Sequence, residues 1–221
     1  MTLPDDGVAA LHNERPGITE DLLAPARSEG IDPYTWLLEP VAPQARVLDL
    51  ACGSAAVADR VGTYLGVDRS PTELAEARRR RPGVDVRQGD ALDAVWFDDS
   101  YDAVVVSMAL MLLDVDRLVA LAMQAAPLLL AIVPRRGNAV RGTAYGDVLA
   151  ALGILDEPFP TDLGQRPDAE VSDRVFSRPP EPDLVLASFY AARATPTQRA
   201  KARALLTEPL DYPLRRLVWR R

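Results

Sequence analysis

The sequence predicts an α/β fold built on a mostly parallel sheet. Strand-like and helix-like segments alternate along most of the chain, the order that places helices on the faces of a parallel sheet. Val47–Leu50, Val104–Val106 and Leu128–Val133 are near-continuous apolar runs, as strands buried on both faces require. The first of these runs leads directly into Ala51-Cys52-Gly53-Ser54-Ala55, a turn of small residues that lets a ligand approach the backbone. With 221 residues, 48% of them hydrophobic, the chain is expected to form one domain with a full core.

Residues 1–17 carry Pro4, Gly7, Pro16 and Gly17 and read as a loose lead-in that holds His12, the only histidine. A helix is expected over Thr19–Ser28, ended by Gly30. Asp32-Pro33 supplies the N-cap and first-turn proline of another over Tyr34–Glu39. The first strand, Val47–Leu50, precedes a helix near Ser54–Val61, and the free N–H groups of the turn and of that helix start would attract a polar or anionic ligand. A second strand, Thr63–Asp68, ends on an acid. Ser70-Pro71-Thr72-Glu73 then opens a helix as a capping box. That helix closes on Arg78–Arg81, whose cations suit the carboxyl end of a helix dipole, and a solvated helix end is the preferred reading.

The third strand is Val84–Gln88, with Gly89-Asp90-Ala91 at its end. The fourth is Tyr101–Ser107, and Asp114 and Asp116 suit the start of a helix over Val115–Ala126. Leu128–Val133 is the fifth, with Pro134–Asn138 looping above its carboxyl end. A helix follows over Ala139–Leu152, and 153–170 is irregular, long enough for a lid or a packed loop. A strand at Val171–Ser177, helices at Asp183–Ala194 and Thr197–Leu206, and a last strand at Tyr212–Trp219 complete the chain. Leu184, Leu186, Phe189 and Tyr190 occupy apolar positions of the first of these two helices.

The chemistry begins at Asp49. In a dinucleotide-binding fingerprint the phosphates sit against the turn after the first strand, and an acid just before it repels them. Asp49 therefore favours a cationic ligand. Asp68 follows nineteen residues later, placed to accept two ribose hydroxyls, and Asp90 ends the next strand. Three acids at three successive strand ends, with the small-residue turn, resemble the class I S-adenosylmethionine-dependent methyltransferases. The first motif of that family has the form Asp-x-Gly-x-Gly, and two of its glycine positions are Ala51 and Ala55 here. Ala55 is tolerable there if its φ is negative.

The resemblance is carried by residues 45–133 and implies a three-layer, Rossmann-like sandwich. Its mostly parallel seven-stranded sheet ends in an antiparallel C-terminal strand, with N-terminal helices and a helical insertion near the C-terminus. Residues 1–43 would cap the site, 44–133 would form the cofactor-binding half and 134–221 the acceptor-side half. The resemblance implies S-adenosylmethionine as cofactor, with S-adenosylhomocysteine as product, held by Asp49, Ala51, Cys52, Gly53, Ser54, Asp68, Arg69, Asp90, Ala91 and Ser107. Asp90 would take a proton of the adenine amino group in a hydrogen bond, and the Ala91 N–H would meet a ring nitrogen. Arg69 lies along the adenine or points to solvent, and the segment from Ser107 to Met111 floors the transfer site. Tyr34 and Trp36 either help to enclose the acceptor or pack against the sheet.

Several functions are disfavoured. A net charge of −7 and a pI near 4.8 argue against a broad nucleic-acid surface. Lys201 is the only lysine among 25 basic side chains, a feature of composition rather than of function. Cys52, the only cysteine, excludes an intramolecular disulfide and reads as a packing residue rather than a nucleophile. The amine-methylation motif Asn/Asp-Pro-Pro-Tyr is absent after the fourth strand, and so is the acid of the metal-dependent catechol methyltransferases, so no metal is expected. No stretch is long and apolar enough for a membrane span, and no signal-like pattern opens the chain, so a soluble cytoplasmic protein is expected. A monomer or homodimer is the expected assembly.

Methyl transfer to O, N or C of a small molecule is the leading reading, with RNA and protein acceptors less favoured. Binding of S-adenosylmethionine without transfer, as a sensor, cyclase or inactive partner, stays open. A nicotinamide-dependent oxidoreductase is disfavoured by Asp49 and the missing third glycine. Tyr34, Asp114, Tyr145, Asp147 and Tyr190 are conceivable bases or acceptor ligands, and none is singled out. His12, in the lead-in, has little support as a base. Arg135, Arg136 and Arg141 stand above the fifth strand, where an anionic acceptor could meet them, although surface arginines are the preferred reading.

Overall fold

The computed structural model describes residues 5–98, 100–156, 166–188 and 194–221. Three helices come first: α1 (Asp5–Glu14), α2 (Ile18–Leu23) and α3 (Pro33–Leu38). The parallel part of the fold is β1 (Arg46–Leu50), β2 (Thr63–Asp68), α4 (Pro71–Arg80), β3 (Val86–Gln88), β4 (Ala103–Ser107), α5 (Val115–Ala125) and β5 (Leu128–Pro134). Then come α6 (Ala144–Leu152), β6 (Glu170–Arg178), α7 (Pro182–Ser188), α8 (Pro196–Leu205) and β7 (Leu210–Arg220). The sheet order is β3-β2-β1-β4-β5-β7-β6, with β7 antiparallel to both neighbours. This is the predicted topology, with α7 and α8 inserted between the last two strands.

Alternation along each strand divides the core. Leu48, Leu50, Val104, Val106, Leu129 and Ala131 pack on one face beneath Leu118 and Ala122 of α5. Val47, Val105, Leu130 and Ile132 face the other way, onto Trp36 and Leu37 of α3 and onto Phe176 and Leu214. Leu74 and Ala77 of α4 cover Ala55 and Val86 near the opposite sheet edge. Caps fix the helix starts. Asp32 accepts from the Tyr34 and Thr35 N–H groups, Asp114 from Arg117 N, and Thr195 with Gln198 completes a capping box on α8.

Several local expectations are corrected. Much of the lead-in, 5–14, is helical, and residues 1–4 lie outside the described residues. The second helix stops at Leu23, well before Gly30. No α-helix forms near 54–61, where only the 3₁₀ turn Ala58–Arg60 stands between turns. Ala51, Gly53 and Ala55 all take positive φ, so regular helical backbone can begin only at Ala56, and β2 starts at Thr63. In the segment between them only the 3₁₀ turn Ala58–Arg60 forms. The helix expected from Ala139 begins at Ala144, capped by Thr143. The one expected over 183–194 is seen over 182–188, and Phe189 and Tyr190 lie outside the described residues, as do 157–165 of the irregular segment. No described helix is long and apolar enough to cross a membrane.

Candidate functional site

The carboxyl ends of β1 to β5 open into a cavity of about 570 Å³, roofed by the N-terminal helices. Open parallel sheets present ligand sites at that edge. All ten residues singled out for cofactor binding line it: Asp49, Ala51, Cys52, Gly53, Ser54, Asp68, Arg69, Asp90, Ala91 and Ser107. Asp49 is opposite Gly66 in β2 and Val105 in β4, at the centre of the sheet, and is only 2% exposed. Its Oδ2 accepts from the Tyr64 hydroxyl at 2.8 Å, while its Oδ1 is buried without a partner. Burial drives its pKa up to about 7. The Tyr64 hydrogen bond opposes that shift, and the charge of Asp68 adds to it. Ser107 Oγ is a second buried polar atom with no partner on the cavity wall.

Asp68 is a turn organiser as well as a cavity residue. Its two carboxylate oxygens accept from Gly53 N and Ser70 N, both at 2.8 Å. A carboxylate has about four lone-pair sites, so each oxygen retains acceptor capacity. Asp90 accepts from Leu92 N at 2.7 Å, and its carbonyl receives the Trp96 indole N–H.

The turn itself departs from expectation. Cys52 N donates to Val67 O, Gly53 N to Asp68, and Ala55 N to Cys52 O, so these groups are not offered to a ligand. Ala51 has φ +53° and Ala55 φ +63°, left-handed values that favour glycine, so the expected negative φ at Ala55 is not what the chain adopts. Burial and the nearby charges of Asp49 and Asp68 push the Cys52 thiol up, which keeps it protonated and unreactive.

The roof is held by residues that local sequence patterns do not reveal. Glu73 was expected to complete a capping box at Ser70, but only half of it forms: Ser70 Oγ accepts from Glu73 N, and Ser70 N donates to Asp68. The Glu73 carboxylate turns instead to the N-terminal helices, taking Gly17 N at 3.0 Å and lying 2.6 Å from His12 Nδ1. Gly17 has φ +80°, and a Cβ there would strike the Arg80 guanidinium. Glu20 accepts from Ser54 Oγ at 2.7 Å and from Arg81 at 2.5 Å, and Arg80 meets Asp21 at 2.7 Å. Burial opposes its ionisation, but Arg81 and Ser54 outweigh burial and hold Glu20 below the usual carboxylate range. The run Arg78–Arg81 is therefore not a solvated helix end, because its last two members clasp α2. His12, Glu20 and Glu73 all line the cavity, which places His12 in the site rather than in a loose lead-in.

Beyond Ser107 the wall becomes more apolar, with Met108, Met111, Leu112 and Leu113 joined by Tyr34, Tyr145 and Tyr212. Tyr34 and Asp114 reach the cavity, while Trp36 packs in the core against Phe176. Asp147 is exposed on α6 and is not part of the lining, and Tyr190 lies outside the described residues. Of the three arginines above β5, Arg136 lines the cavity, whereas Arg135 and Arg141 do not; Arg135 pairs with Asp173 at 3.0 Å and Arg141 with Asp156. Among the described residues, no three His, Cys, Asp or Glu side chains gather into a metal-ligating group.

Residues 47–130 match a family model described as a methyltransferase domain. Over 57 residues the chain is 46% identical to a trans-aconitate 2-methyltransferase of Methylobacterium nodulans, a stretch covering 23% of this chain and 22% of that protein. It is 42% identical over 72 residues to a demethylmenaquinone methyltransferase of Beutenbergia cavernae, covering 31% and 30%. The matched stretches thus span less than a third of either relative. A solved structure from Anaeromyxobacter dehalogenans, assigned as a type II methyltransferase, superposes with a TM-score of 0.57 at 21% identity over 85% of this chain and 94% of that one.

Proposed function

We propose that this chain, which has the Rossmann-like fold of the class I S-adenosylmethionine-dependent methyltransferases, transfers a methyl group to an O, N or C atom of a small molecule by metal-independent in-line displacement. One observation carries the reading. Acids at the ends of β1, β2 and β3 line a single cavity, and within it Asp49 Oδ1 and Ser107 Oγ are buried polar atoms without partners. Buried polar groups need hydrogen bonds, so these two fit a polar ligand that is cationic beside Asp49. When bound, S-adenosylmethionine supplies a methyl group on a sulfonium that needs no further activation.

The chain's own residues do the rest. Asp49, with Tyr64 steering one of its oxygens, would face the ligand's cationic end. Asp68 would accept the ribose hydroxyls with its remaining lone pairs, and Asp90 with Ala91 would meet the adenine edge. Ala51, Cys52, Gly53 and Ser54 would line the ligand's path, with Arg69 at the exposed rim. The apolar wall from Met108 to Leu113 would exclude water and align the acceptor, a contribution worth up to about 7–11 kcal/mol for well-oriented partners. The two curated relatives are named for small-molecule acceptors, which supports that class of acceptor here. A cytoplasmic monomer or homodimer belongs to the same reading.

A second reading is binding without transfer, favoured by the left-handed strain at Ala51 and Ala55. The two are separated by incubating the protein with S-adenosylmethionine and a fractionated extract of bacterial small molecules, then measuring S-adenosylhomocysteine by mass spectrometry. Product that requires both the protein and a fraction supports transfer. Tight binding with no product in any fraction supports the second reading.

A further inference from the structure

We propose that His12, carried into the cavity by the roof, is a second ligand of the cofactor's ribose, its Nε2 pairing with one hydroxyl of the diol beside Asp68. The proposal rests on the methyltransferase reading and adds a residue to its cofactor site. His12 Nδ1 lies 2.6 Å from Glu73 Oε1, and Gly17 N holds the other carboxylate oxygen at 3.0 Å. Glu73 is only 3% exposed, so the imidazole is set by a buried partner rather than by a surface contact. A carboxylate accepts, which makes Nδ1 the donor and leaves Nε2 as the ring's other polar atom. Among the described residues no protein group pairs with Nε2, and His12 lines the cavity with its side chain 27% exposed.

Two chains of contacts place His12 beside Asp68. In the first, Asn13 Oδ1 accepts from the Ser70 hydroxyl at 3.3 Å, and Ser70 N donates to Asp68 Oδ1 at 2.8 Å. In the second, Glu73 Oε2 lies 3.5 Å from where a Cβ on Gly53 would stand, and Gly53 N donates to Asp68 Oδ2 at 2.8 Å. Each oxygen of Asp68 is thus joined through one residue to Asn13 or to the Glu73 partner of His12, and all of these residues line the same cavity. The apolar wall from Met108 follows β4, and β1 separates β4 from β2. Two strand spacings, roughly 10 Å, therefore part Asp68 from the transfer site. His12 accordingly meets the sugar end of the ligand. A hydroxyl carries one proton and two lone pairs. It can donate to Nε2 of a neutral ring or accept from Nε2–H of a charged one, while Asp68 serves its neighbour.

The test measures, by calorimetry on the full chain, the affinities of S-adenosylhomocysteine and of its 2′-deoxy and 3′-deoxy analogues for wild type, His12→Phe and His12→Ala. In wild type, removing the hydroxyl that meets His12 should weaken binding at least about fivefold, the net worth of one hydrogen bond. In His12→Phe, which keeps a ring but no polar atom, that cost should fall below about twofold, while the cost of the hydroxyl held by Asp68 stays as in wild type. Changes in sugar pucker caused by a missing hydroxyl are common to the three proteins and cancel. His12→Ala should give the same pattern, and it replaces His12→Phe in the comparison if the bulkier ring blocks binding. A residue that only props the roof would weaken all three ligands by one factor, so hydroxyl costs equal in wild type and variant overturn the proposal. So does a wild type indifferent to both hydroxyls, or loss of all binding in both variants, which exceeds what one hydrogen bond supplies. Failure of wild type to bind S-adenosylhomocysteine itself would overturn the methyltransferase reading, and this contact with it.

Discussion

Asp49 gives the most quantitative prediction. Its carboxyl is pushed up to about 7, by burial first, against the Tyr64 hydrogen bond and with the Asp68 charge. A cationic ligand gains from Asp49 only when that group is ionised. With a pKa near 7 the ionised fraction is about one-tenth at pH 6 and about nine-tenths at pH 8, so affinity should rise about tenfold, or about 1.4 kcal/mol, across that interval. Calorimetry with S-adenosylmethionine at pH 6, 7 and 8 measures this, and buffers of different ionisation enthalpy should reveal proton release of about half an equivalent at pH 7. Asp49→Asn removes the group and leaves every other titration in place, including those of the ligand. The tenfold rise should therefore appear as the difference between the wild-type and Asp49→Asn profiles. Parallel profiles would refute the assignment. The stability of the ligand-free protein has the opposite slope. The folded state holds this proton up to about pH 7, whereas the unfolded carboxyl loses it near 3.8. Stability from this group is thus present at low pH and lost as pH rises through 7, so Asp49→Asn should melt higher than wild type at pH 8.

Other residues yield sharper single-variant tests. Tyr64→Phe removes the hydrogen bond that lowers the Asp49 pKa, so the midpoint of the pH profile should move upward, read by the same titration. Asp68→Ala should weaken S-adenosylmethionine binding by roughly 1–3 kcal/mol and lower thermal stability, since Gly53 N and Ser70 N lose their acceptor. Unchanged affinity in a folded variant would remove Asp68 from the site. Ala51→Gly should relieve left-handed strain, for a net gain of about 0.5–1 kcal/mol after the entropy cost of glycine, read as a rise in Tm. Ala55→Gly should be nearly neutral, because Ala55 is fully buried and its methyl packs beside Leu74 and Ala77. Glu20 is held below its ordinary pKa of 4.5, so its stabilisation is present above that value and lost as pH falls below it. Partial exposure limits the effect to about 1 kcal/mol. Protease cleavage between residues 15 and 30 should increase below pH 4.5, and an unchanged cleavage rate would show that Glu20 does not hold the roof.

The sheet was legible because its strands carry the pattern that burial demands, and the acids were legible by position: Asp49 is next to last in β1, Asp68 ends β2, and Asp90 follows Gly89 just past β3. Asp49, Asp68 and Asp90 needed only local sequence to be placed at one edge. The connection after β1 was not legible in this way. Its alanines suit a helix, and only the left-handed backbone at Ala51, Gly53 and Ala55 shows that the chain leaves the helical region there. The roof was missed for a different reason. His12 with Glu73 and Glu20 with Arg81 each join residues 61 apart in sequence, and no local propensity encodes such a pair. The lone histidine was the available signal, discounted because Pro16 and Gly17 suggested a loose segment. Arg136 was separable from Arg135 only through the alternation of an extended chain whose end the sequence did not fix.

The central claim is that this cavity takes S-adenosylmethionine through the three strand-end acids. Calorimetric titration of the purified chain with S-adenosylmethionine, S-adenosylhomocysteine and NADH addresses it most directly. Single-site, micromolar binding of both sulfur compounds and none of NADH is expected. Binding of NADH in preference to them, or no binding of either sulfur compound, would contradict it.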